Sequence, residues 1–79
     1  MELQFFNSTA GILAQVGNRM EYLILFRDYI ALETTGYHYE LCRVREYSED
    51  EVIISRYGRE FFRTPEDAMN RVRDIVNSL

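Results

Sequence analysis

No lysine occurs in this chain of 79 residues; all nine basic residues are arginine: Arg19, Arg27, Arg43, Arg45, Arg56, Arg59, Arg63, Arg71 and Arg73. Two readings account for that bias. Arginine gives flat, bidentate contacts with carboxylates or phosphates, and biased codon usage in the source genome would produce the same count. Cysteine is almost as scarce. Cys42 is alone, so no internal disulfide can form, and a secreted domain this short usually needs such staples. Together with the absence of a basic start followed by an apolar run, this points to a cytoplasmic protein. Tryptophan is absent, and proline and histidine each occur once. The longest unbroken apolar stretch runs only from Tyr22 to Phe26, far short of a membrane span.

The same scarcities limit the chemistry. A nucleophilic thiol needs an imidazole beside it and a third group to hold that imidazole. Cys42 and His38 lie four apart in one expected strand, about 13 Å at ~3.3 Å per residue, so Cys42 reads as a buried structural thiol. One Cys and one His cannot supply the usual ligands of a structural zinc site. The acidic group Glu46, Glu49, Asp50 and Glu51 lacks the alternate-position ligands and central glycine of a calcium loop, and reads as a solvated turn. The four glycines (Gly11, Gly17, Gly36 and Gly58) are too scattered for a phosphate loop. A chain this short rarely encloses a pocket of ~300 Å³. No cofactor, no metal and no catalytic residue is expected, and the chain reads as a non-enzyme.

What is present is the composition of a folded domain: 47% hydrophobic and 28% charged residues, which excludes disorder and low-complexity linkers. The length leaves room for one domain, residues 1–79, burying about two-thirds of its unfolded surface. Thirteen acidic residues against nine basic ones give a net charge of −4. That balance is a handicap for phosphate binding.

The clearest element is C-terminal. Thr64-Pro65-Glu66-Asp67 reads as an N-cap, a proline at the first helical position and two acids facing the positive end of the dipole. Ala68, Met69, Val72, Ile75, Val76 and Leu79 then recur at helical spacing. This predicts a helix from about Pro65 to Ser78, with Val72 and Ile75 buried. Upstream, Glu21–Arg27, Tyr29–Thr34, Tyr37–Glu46 and Glu51–Tyr57 read as strands, with turns at Thr35-Gly36 and at Ser48-Glu49-Asp50. A short final strand is expected at Glu60–Arg63, after a bend at Gly58. Leu3 to Phe6 reads as an edge strand. Residues Ala10–Val16 favour a short helix capped by Ser8 or Thr9, with a hairpin turning at Gly17-Asn18 as the alternative. The expected fold is α+β: an antiparallel sheet of four to five strands with the C-terminal helix packed on one face.

Alternation assigns faces. Tyr22, Ile24 and Phe26 share one side and Leu23 and Leu25 the other, so both faces are apolar and cover on both sides is expected. One helix covers one side. The N-terminal segment, a partner protein or a second copy in a homodimer would cover the other. A turn centred on Glu49 pairs Arg43 near Ser55 and Leu41 near Tyr57. Tyr37, Tyr39, Arg43, Arg45 and Tyr57 then fall on one surface, of the residue types enriched at binding hot spots. A half-solvated sheet face would carry the same residues.

The expected function is therefore protein binding, as an adaptor or inhibitor of the kind phage and mobile elements encode, through partner-binding residues Tyr37, Tyr39, Arg43, Arg45 and Tyr57. Two alternatives stand beside it: a self-associating structural domain, and nucleic-acid binding. Three strands followed by a helix opening Phe62-Arg63-Thr64-Pro65-Glu66-Asp67-Ala68 resemble the three-stranded DNA-binding domains at the start of phage integrases. That resemblance implies DNA read by the exposed sheet face. Between Tyr37 and Arg63, however, five arginines meet six acids and no basic patch forms, so nucleic acid is the less favoured partner.

Overall fold

The computed structural model describes residues 2–27, 36 and 38–78, with the backbone alone described for Arg56 and Arg59. Among the described residues five strands form one antiparallel sheet in sequence order: β1 (Leu3–Asn7), β2 (Ile12–Val16), β3 (Arg19–Phe26), β4 (Tyr39–Tyr47) and β5 (Val52–Phe62). The helix α1 (Pro65–Asn77) follows. The α+β expectation holds. The expected strand Tyr29–Thr34 and the Thr35 half of its turn lie outside the described residues. On either side of them β3 pairs directly with β4, from Tyr22 opposite Arg43 to Phe26 opposite Tyr39.

The helix forms where its capping signal stands. The Thr64 hydroxyl accepts a hydrogen bond from the Asp67 N–H at 3.1 Å, relieving one of the unpaired donors of the first turn. Ala68, Val72, Ile75 and Val76 make the buried stripe. They pack on Ala14, Val16, Tyr22, Ile24 and Leu41, with Leu3, Phe5, Tyr39, Tyr57 and Phe62 around the margin. This is the main core. On the other face Leu13, Leu23, Cys42 and Val44 form a second, smaller cluster, bordered by Ala10, Met20, Leu25, Val52 and Ile54. Part of the cover for the second face thus comes from the N-terminal hairpin, through Ala10. Cys42 is fully buried in it.

Two elements differ from the sequence reading. Residues Ala10–Val16 contain strand β2, not a short helix. Ile12, Ala14 and Val16 join the helix-side core while Leu13 joins the other cluster, and only a period of two serves both faces. Gly11 fixes the entry to β2. Its φ is +145°, and a Cβ there would stand 2.3 Å from the Ile24 carbonyl oxygen, so the strand can approach this closely only at glycine. The hairpin turn at Gly17-Asn18 is the reading that holds. The second difference lies in β5, which is one strand through Gly58 rather than two. Gly58 takes φ +64°, and the register jumps from Cys42 opposite Arg56 to Glu40 opposite Phe61. The extra residues form a bulge, and the chain stays in the sheet.

Candidate binding surface

Arg43 sits where β4 emerges from beneath the helix. Its partner on β5 is Ser55, the pairing expected from the turn, and its neighbour on β3 is Tyr22. The Arg43 guanidinium lies 5.5 Å from the centroid of the Tyr22 ring, within cation–π range, and 3.6 Å from the Glu21 carboxylate. The Tyr22 ring packs in turn on Tyr57 at 5.7 Å between centroids. Beyond Tyr57, Arg71 of α1 donates from Nε to Glu60 at 2.7 Å. The result is a row running from strand to helix: Arg43, Tyr22, Tyr57, then the Arg71–Glu60 pair.

Its electrostatics follow from burial at Tyr22 and from ion pairing at Arg71. Withdrawal from water raises the Tyr22 phenol above its ordinary 10.0, with the positive charge of Arg43 acting the other way. The Glu60 hydrogen bond and charge hold the Arg71 guanidinium protonated even more firmly than usual. Both arginines remain accessible, with 51% of the Arg43 side chain and 41% of the Arg71 side chain exposed. A partner could therefore reach either guanidinium without unfolding anything.

Of the five residues singled out in the sequence, the fold brings Arg43 and Tyr57 together through Tyr22. Tyr39 lies at the other end of β4. It packs at the margin of the main core and meets Phe26 edge-on at 5.3 Å. Arg45 is exposed two residues beyond Arg43 and borders a separate cleft of about 320 Å³ with Asn18, Arg19 and Tyr47. Tyr37 lies outside the described residues. The face these residues share is the one the helix packs on, because Leu41 between them is fully buried in the helix-side core. Sequence reasoning did not include Tyr22, Arg71 and Glu60 in the site. Tyr22 was on the right face in the alternation pattern. Arg71 is reached only through the docking of the helix, which strand periodicity does not report.

Next to Arg43 the surface is concave. A cleft of about 410 Å³ opens between the Gly17-Asn18 turn and the end of α1, walled by Arg19, Glu21, Tyr22 and Arg43, with Val16 and Val76 on its apolar side. A second cleft of about 340 Å³, on the opposite face, has an apolar floor of Leu13, Leu23 and Leu25 and a rim that includes Glu49, Asp50 and Glu51. The two differ in sign: two guanidiniums and one carboxylate line the first, whereas carboxylates edge the second. Among the described residues no group of three or more His, Cys, Asp or Glu is placed to hold a metal ion. No helix among them is long and apolar enough to cross a membrane. No protein-family model matches the chain, and neither the curated proteins nor the solved structures compared with it gave a match.

Proposed function

We propose that this protein acts by binding another protein, as an adaptor or inhibitor, and that the contact centres on Arg43 and the cleft beside it. The observation that carries the reading is the placement of Arg43 over the Tyr22 ring, with Tyr57 packed at a tilt against that ring. An arginine braced on a tyrosine loses little further freedom when it meets a carboxylate, so its hydrogen bonds cost less to form. The cleft adds apolar wall from Val16 and Val76. The chemistry it fits is a partner segment carrying a carboxylate beside an apolar side chain. Cys42 is fully buried in the second cluster, which keeps its thiol from solvent and favours binding over thiol catalysis.

Affinity capture from the source cell, with mass spectrometry of what is retained, tests the reading when run beside Arg43→Ala and Arg45→Ala. Arg43→Ala should leave the melting temperature nearly unchanged and weaken capture of the retained protein by about 1 kcal/mol or more. Arg45→Ala should weaken it less, since Arg45 lies outside the row. Capture indifferent to both substitutions would exclude this surface.

A further inference from the structure

Among the described residues no strand pairs with the outer edge of β1, and its hydrogen-bonding groups can be assigned. Ser8 and Gly11 exchange both backbone bonds, at 2.8 and 3.2 Å, and the Gly17 N–H donates to the Glu2 carbonyl at 2.9 Å. The β1–β2 register runs without a break from Leu3 opposite Val16 to Asn7 opposite Ile12. Alternation along an antiparallel pair then turns the even-numbered residues of β1 toward β2. The N–H and C=O groups of Leu3, Phe5 and Asn7 point outward, and β1 is the first strand in the sheet order.

Edges exposed in this way are normally blunted by charge, proline or a bulge. Leu3–Asn7 contains none of these, and Phe6 is 40% exposed. The opposite edge is different: β5 carries Gly58 at positive φ and two register shifts against β4. A flat edge at one end and a bulged edge at the other disfavour head-to-tail stacking, which would pair β1 of one copy with β5 of the next. They favour a contact that closes on itself.

We infer that β1 pairs with β1 of a second copy of this chain, antiparallel about a twofold axis at Phe5, to give one sheet continuous through both copies. In that register Leu3 stands opposite Asn7 of the other copy, Gln4 opposite Phe6, and Glu2 opposite Ser8, so no charge meets its like. The exposed Phe6 ring gains a cross-strand neighbour. Above each Phe5 ring lies Arg73 at 5.2 Å, itself paired with Glu66 at 3.4 Å, so the axis does not bring two uncompensated guanidiniums together. This contact is separate from the Arg43 surface, and the two stand or fall independently.

Sedimentation equilibrium and amide exchange followed by NMR, each at low and at millimolar concentration, test it on the intact chain. A mass approaching twice the 9.4 kDa of one chain is expected at the higher concentration. Exchange at Leu3, Phe5 and Asn7 should slow about tenfold or more with concentration, while Gln4, Phe6 and Ser8 are protected at both. Asn7→Pro removes an outward N–H and no β1–β2 bond, and should give a monomer. A chain that stays monomeric, a dimer with protection gained elsewhere, or a dimer that survives Asn7→Pro would each overturn the inference. Should Asn7→Pro fail to fold, the odd–even exchange pattern of the unmodified chain decides alone.

Discussion

Glu40 is the only charged residue among those described that is withdrawn completely from solvent. Arg27 Nε stands 2.7 Å from its Oε1, with 36% of the Arg27 side chain exposed. Removing one partner from such a pair strands the other charge in the core, whereas removing both lets apolar groups take their place. Glu40 keeps a further interaction besides Arg27, and Arg27 is partly wet, so Arg27→Met should destabilise by at most about 3 kcal/mol, the lower bound for breaking a fully buried pair. The double variant Arg27→Met/Glu40→Met should recover most of that loss, as urea unfolding of the set would show. Tyr22 makes a second prediction at this scale. Its phenol is raised above 10.0 chiefly by burial, so on raising the pH the unfolded chain loses this proton before the folded one. The stabilisation is complete below pH 10.0 and falls as pH rises through the folded value. Stability measured on either side of that pH should drop less steeply in Tyr22→Phe than in the unmodified protein.

At the scale of elements, α1 depends on a cap and a stripe, and the two should separate by magnitude. Thr64→Ala removes the acceptor for the Asp67 N–H and should cost about 1 kcal/mol. Ile75→Ala opens a cavity against the sheet and should cost about 2–5 kcal/mol, a large share of the ~4–12 kcal/mol a chain this long commands. Thermal melts of the two variants would check the order. The helix was legible in the sequence because its signals are local: Thr64, Pro65 and the four-residue recurrence sit within one segment. Strand β2 was not, because Ala10–Val16 carries a helix-like opening at Ser8 and Thr9, while what decides the matter is nonlocal: pairing with β1 and β3 and the close approach of Gly11 to Ile24. The bulge at Gly58 resembles a strand end for the same reason. Of the candidate site, alternation placed Arg43 and Tyr57 on one face. It could not show that the helix lands on that face, leaving Tyr39 packed against the core and adding Arg71 to the row.

At the scale of the whole molecule, the arginines bear on which macromolecule the surface can meet. Arg19 and Arg43 both approach Glu21, Arg27 meets Glu40, Arg71 meets Glu60 and Arg73 meets Glu66. A phosphate approaching any of these guanidiniums competes with a carboxylate already in place, on a chain whose net charge is −4. A protein partner faces no such general repulsion, because a single well-placed carboxylate can engage Arg43 while the rest of its surface is neutral or basic. Binding to random duplex DNA at physiological salt should accordingly be weaker than ~10⁻⁴ M, the weak limit of ordinary nonspecific binding. Fluorescence anisotropy with a labelled duplex across a salt series measures this directly. Tight binding that weakens steeply with added salt would mean that Arg43 and Arg71 release Glu21 and Glu60 to meet phosphate, and the row beside α1 would then be a nucleic-acid contact in place of a protein one.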